Sequence, residues 1–144
     1  MTEFSRTPHP SPVPEERRSA IVADPGFGRH FTDHMVTIPW TAEKGWHTPS
    51  VVPYGPLLLD PASMVLHYGQ EIFEGLKAYQ QPDGSVASFR PEANAARFRA
   101  SASRLAMAEL PDELFLASLT ELLTADRAWV PPAGGEESVY LRPF

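Results

Sequence analysis

Residues 75–107 read GLKAYQQPDGSVASFRPEANAARFRASASRLAM. Two β-prone runs, Gly75–Tyr79 and Ser85–Phe89, lie on either side of Pro82-Asp83-Gly84. Proline fixes φ early in a turn and glycine accepts a positive φ late in it, so the runs are predicted to fold back as a hairpin. Arg90-Pro91-Glu92 follows at once. Proline is tolerated at the first helical position and glutamate complements the positive end of the helix dipole, so a helix is predicted from here. Alanine-rich sequence carries it to about Met107.

Downstream, a second helix is predicted from Asp112 to Asp126. Phe115, Leu119, Leu122 and Leu123 recur at helical spacing and make one apolar face. Trp129-Val130-Pro131 ends it, Gly134-Gly135 turns the chain, and Ser138–Arg142 reads as a last strand. Upstream, Phe31–Trp40 reads as a strand, with Phe31, Asp33, Met35 and Thr37 on one side and Thr32, His34, Val36 and Ile38 on the other. Pro39 stops it. Val51–Leu59 is a second extended candidate, broken by Pro53 and Pro56. Between Pro61 and Phe73 a short helix is expected, capped by Asp60, with Pro61 first and Gly69 at its end. Residues 1–20, with Pro8, Pro10, Pro12 and Pro14, are expected to be a loose lead-in, the domain to cover 21–144, and its folded part to begin near Phe27. Strands and helices are segregated along the chain. That order argues an α+β fold, a mostly antiparallel sheet with helices packed on it.

A length of 144 residues with 42% hydrophobic and 21% charged content suits one folded domain. A net charge of −6 argues against a nucleic-acid partner, which needs a concentrated basic face. No apolar run approaches the ~20 residues that span a bilayer. No apolar h-region marks a signal peptide, and a cytoplasmic protein is expected. There is no cysteine, hence no disulfide or thiolate site. His30 and His34 lie four apart, but without the glutamate that follows the first histidine in a metalloprotease helix. Both are expected to be ordinary strand residues, and no metal site is expected. Lysine occurs only at Lys44 and Lys77.

Periodicity goes no further than a soluble α+β domain. The segment Leu66-His67-Tyr68-Gly69-Gln70-Glu71-Ile72-Phe73-Glu74-Gly75-Leu76-Lys77-Ala78-Tyr79 resembles the signature of branched-chain amino-acid aminotransferases, fold-type IV pyridoxal-phosphate enzymes. Three further blocks agree in order and spacing. They are Phe31-Thr32-Asp33-His34-Met35; Phe89-Arg90-Pro91 with Asn94, Arg97, Ser101 and Arg104; and Trp129-Val130-Pro131 with Tyr140-Leu141-Arg142-Pro143. The resemblance runs from about residue 26 onward and implies the small N-terminal domain of such an enzyme.

The resemblance carries roles to particular residues. It makes Arg97 a contact to the cofactor phosphate, a task suited to a planar, permanently charged guanidinium. It puts Tyr140 and Arg142, two apart on one strand face, in the substrate pocket, the arginine available to the side-chain carboxylate of glutamate. Phe27 and Phe73 become aromatic walls of that pocket, and Tyr68 a residue given across a dimer interface. Read without it, Arg97 is a solvated helix arginine, Arg142 an edge arginine, the phenylalanines core packing and Tyr68 a half-buried tyrosine. The implied cofactor is pyridoxal phosphate, the implied partners are amino and 2-oxo acids, and the implied assembly is a homodimer.

The chemistry also needs a lysine to carry the cofactor. Lys77 lies in the signature strand, where the family has a non-catalytic lysine, and Lys44 lies in a turn. The resemblance puts the Schiff-base lysine beyond residue 144, so no catalytic residue is expected here. The 144 residues alone are expected to be inactive and to expose an apolar face where a second domain docks. Alternatives within the fold are a D-amino-acid aminotransferase or an aminodeoxychorismate lyase; outside it, a standalone non-enzymatic binding domain.

Overall fold

A computed structural model describes residues 3–144. The elements in order are β1 (Ser5–Arg6), α1 (Glu15–Ala23), β2 (His34–Thr37), β3 (Trp40–Thr41), β4 (Gly45–Trp46), β5 (Ser50–Pro53), α2 (Met64–Tyr68), β6 (Leu76–Gln80), β7 (Val86–Ser88), α3 (Pro91–Arg104), α4 (Asp112–Ala125), a 3-10 turn (Arg127–Trp129) and β8 (Val139–Leu141). The fold is α+β. One three-stranded sheet has the order β1-β5-β2, a second has the order β7-β6-β8, and β3 and β4 form a two-stranded hairpin. All pairings are antiparallel except β1 with β5.

The hairpin forms as the turn chemistry predicts. Gly84 takes φ +83°. The Asp83 carboxylate accepts from the Ser85 amide at 2.8 Å and from its hydroxyl at 2.7 Å, closing the turn through the side chain. α3 begins at Pro91 and stops near Arg104, short of Met107, because Ala106 turns to φ +55° and Met107 N–H closes back onto Ala102 O. α4 runs from Asp112 as its apolar spacing predicts.

The core lies between the second sheet and these two helices. Leu76, Ala78 and Leu141 come from the sheet, Ala95, Phe98 and Ala102 from α3, and Phe115 and Leu119 from α4. The Phe98 and Phe115 rings meet at 5.5 Å between centroids. Ala95 and Ala102, each 1% exposed, face this core from α3.

Four expectations need correction. The stretch 1–20 contains β1 and most of α1, so order begins well before Phe27. The last of its prolines stands directly before α1, which opens with Glu15 and Glu16 at the positive end of the dipole. β1 is held by Ser5 and Thr7 amides on Pro49 and Val51 carbonyls and by Arg6 to Glu121 at 2.6 Å. The strand expected over Phe31–Trp40 is regular only over His34–Thr37, and His30 lies outside it. The extended run from Val51 is a strand only to Pro53, with one further bond from Tyr54 N–H to Asp33 O at 2.8 Å. The helix expected from Pro61 starts at Met64, because the Asp60 carboxylate accepts from Ala62 N–H at 2.7 Å and closes a turn first. Gly69, at φ +60°, ends it as expected, and Glu71 N–H then donates to Gly69 O at 2.9 Å.

Two buried carboxylates fasten the first sheet to the rest. Asp33 accepts from Val13 N–H at 2.9 Å and from the Trp129 indole N–H at 2.8 Å. Asp126, at the end of α4, accepts from His34 N–H at 2.9 Å and meets His34 Nδ1 at 2.6 Å. Among the described residues no group of acidic and histidine side chains could hold a metal ion, and no helix is long and apolar enough to cross a membrane.

Candidate functional site

Burial alternates residue by residue from Glu71 to Ala78. Ile72, Glu74, Leu76 and Ala78 turn inward, while Phe73 and Lys77 turn outward. The pleat of an extended chain dictates this period of two. β8 lies antiparallel against β6, with Leu76 opposite Leu141 and Lys77 opposite Tyr140. The pairing continues as Glu74 N–H donates to Pro143 O at 2.8 Å.

This register assembles the outward side. Arg142 lies over the Phe73 ring, its guanidinium carbon 4.5 Å from the centroid, and donates from Nη2 to Tyr140 Oη at 3.0 Å. Its distance to the Tyr140 ring is 5.2 Å. Phe27 leans on Tyr140 with 6.1 Å between centroids. Gly75 makes room for this group, since a Cβ there would meet the end of the Tyr140 ring. The group is an open shelf: Phe27 is 82% exposed and Phe73 61%.

On the inward side stands Glu74, 3% exposed. Its Oε1 accepts from Arg97 Nε at 2.6 Å and its Oε2 from Arg97 Nη2 at 2.7 Å. Asn94, one turn earlier on α3, donates to Oε2 at 2.7 Å. The Arg97 hydrogen bonds hold the Glu74 carboxyl below its ordinary value of 4.5; burial opposes this and Asn94 assists it. Glu74 in turn raises the Arg97 pKa, so the guanidinium stays cationic.

Of the six expected site residues, Phe27, Phe73, Tyr140 and Arg142 come into one contact group. Arg97 is joined to them through Glu74, the chain neighbour of Phe73. Tyr68 ends α2 and is 77% exposed; its aromatic neighbour is His67, outside the group. Other exposed apolar side chains are Phe31, which stacks on Tyr54 at 4.8 Å, and Leu57, Leu58 and Leu59. Two surface hollows, about 710 and 260 Å³, lie elsewhere, beside Arg99 and Arg104 and between α1 and Ala128.

Glu74 and Asn94 carry no assigned role in the sequence beyond membership of the signature blocks. A signal was there. Glu74 falls in step with Ile72, Leu76 and Ala78, and a carboxylate on a buried face demands a cation or several donors.

The fold thus defines an α+β domain of small, mostly antiparallel sheets with α3 and α4 packed on the second of them. No protein-family profile matches the chain. It is 60% identical over 99% of its length to a branched-chain-amino-acid aminotransferase of Mycolicibacterium smegmatis. It is 64% identical over 95% to a probable branched-chain-amino-acid aminotransferase of Streptomyces coelicolor, and 57% identical over 93% to a branched-chain-amino-acid aminotransferase of Mycobacterium tuberculosis. The chain covers 39%, 38% and 36% of these proteins, a little over a third of the length of the curated relatives it matches. The chain belongs to the branched-chain aminotransferase family.

Proposed function

We propose that this chain is the part of a pyridoxal-phosphate-dependent transaminase that meets the substrate side chain and one edge of the cofactor phosphate. The whole protein would exchange the amino group of leucine, isoleucine or valine with 2-oxoglutarate. The observation that carries this reading is Arg142, resting on the Phe73 ring and hydrogen-bonded to Tyr140. One pocket must accept an aliphatic side chain and, in the other half-reaction, the carboxylate of glutamate. A guanidinium lying on an aromatic face answers both needs. It leaves apolar surface for the branched side chain, and a small swing offers two parallel N–H groups to a carboxylate.

Arg97 suits a phosphate. Glu74 occupies two of its five N–H donors, and the side chain remains 68% exposed. Pyridoxal phosphate, when bound, supplies the electron sink that lets the amino acid lose its Cα proton. Arg97 would anchor the phosphate, while Phe27, Phe73 and Tyr140 exclude water from the substrate side chain and Arg142 selects its charge. Tyr68 would serve the site of a second copy in a homodimer. We assign the cofactor-bearing lysine to neither Lys44 nor Lys77 and infer that residues 1–144 alone do not turn over. The reading also carries a cytoplasmic location.

The test measures amino transfer in the protein as its gene encodes it. Transamination of leucine with 2-oxoglutarate is expected. In Arg142→Leu, kcat/KM should fall about tenfold to a hundredfold for glutamate, the scale of one charged hydrogen-bonding partner, and stay near wild type for leucine. Equal losses for both substrates would overturn the assignment of Arg142. For residues 1–144 alone, no visible cofactor absorbance band and no leucine turnover are expected on adding pyridoxal phosphate; robust turnover refutes the inactivity.

A further inference from the structure

Both oxygens of the buried Glu74 are committed to Arg97, and Asn94 fixes the carboxylate from the same helix. Side-on pairing through Nε and Nη2 sets the plane of the guanidinium as well as its position. Without it, Arg97 would be a long exposed side chain free to sample many rotamers. Three N–H donors remain, and the side chain is 68% exposed. We propose that Glu74 is the positioning residue for Arg97, holding the unused edge of its guanidinium open toward an anion. This rests on the reading that Arg97 meets the cofactor phosphate.

Charge alone argues the other way. Glu74 cancels the charge of Arg97 at a distance, so removing it should strengthen anion binding. Two features favour orientation. Water screens the exposed guanidinium and weakens any purely Coulombic gain. Glu74 is itself held by Asn94 at 2.7 Å, with the Asn94 amide also 3.4 Å from Gly75 O, and its own amide donates to Pro143 O at 2.8 Å. Asn94, Glu74 and Arg97 form a relay in which the helix fixes the carboxylate and the carboxylate fixes the cation. The two accounts predict opposite signs, which makes the inference testable.

The experiment titrates pyridoxal phosphate, and separately pyridoxal, which lacks the phosphate, into the protein as its gene encodes it. Wild type is compared with Glu74→Gln, Asn94→Ala and Arg97→Ala, with circular dichroism to check folding. Glu74→Gln is expected to weaken pyridoxal phosphate binding about tenfold, the scale of losing an orienting partner, and to leave pyridoxal binding unchanged. Asn94→Ala keeps the charge and is expected to weaken it less, in the same direction. If Glu74→Gln does not fold, Asn94→Ala decides: a phosphate-dependent loss supports the proposal and no loss overturns it. Unchanged or tighter binding by a folded Glu74→Gln, with Arg97→Ala weakened, overturns the role of Glu74 alone. Unchanged binding by Arg97→Ala removes the phosphate reading beneath it and the proposal with it.

Discussion

Tyr140 fills the space a side chain at Gly75 would need: an added Cβ would lie 2.9 Å from the Tyr140 Cζ and closer still to its hydroxyl. Tyr140 is 41% exposed and its ring can swing away, so Gly75→Ala should cost only about 1 kcal/mol of stability. The same swing breaks the hydrogen bond from Arg142. NMR should show the Tyr140 ring resonances displaced and those of Phe98 in place. Unmoved Tyr140 resonances would contradict the packing described.

Core packing makes a larger prediction. Phe115 is 1% exposed and packs on Phe98. Phe115→Ala should cost about 3–5 kcal/mol in urea unfolding, because the cavity adds to the lost burial. A loss below about 1 kcal/mol would mean that the helices do not meet as described.

Trp129→Phe removes the indole donor together with part of a buried ring. Asp33 then retains only the Val13 amide of the two bonds described. A cost of about 1–3 kcal/mol is expected from the poorly satisfied buried carboxylate. Faster hydrogen exchange at Val13 should accompany it, and an unchanged rate there argues against a shared anchor.

Glu74 gives a pH dependence whose sign is fixed. Its pKa is lowered on folding, so its contribution is fully present above the unfolded value, near 4.5, and is lost as pH falls through the folded value. Melting temperature should therefore decline below about pH 4.5 more steeply in wild type than in Glu74→Gln, which carries no titrating group there. Parallel acid limbs in the two proteins would show that the carboxylate is not held as described.

The hairpin and the two long helices were legible because their signals are local. Turn residues at 82–84, proline at 91 and the apolar spacing from Phe115 each act within a few positions. Residues 3–20 were misread because what orders them is distant: Arg6 needs Glu121, and Val13 needs Asp33. Likewise α2 is shorter than expected because one carboxylate, Asp60, made a turn where a helix cap was equally consistent with the sequence. For the candidate site, spacing could put Tyr140 and Arg142 on one face. It could not bring Phe27 to them, since no local pattern ties a residue before the first long strand to one near the other end of the chain.

The alternation from Glu71 to Ala78 bears on how this protein can vary over evolution. One side of that stretch holds an ion pair inside the fold, and the other shows a phenylalanine and a glycine to the shelf. Phe73 on the outward side can change and so retune ligand preference while the interior stays intact, whereas Gly75 is held by the Tyr140 ring. An inserted or deleted residue has no such freedom: it would turn the carboxylate of Glu74 out among the rings and drive Phe73 into its place beside Arg97. Diversity at this position should therefore accumulate by substitution, with the length between Ile72 and Leu76 held constant.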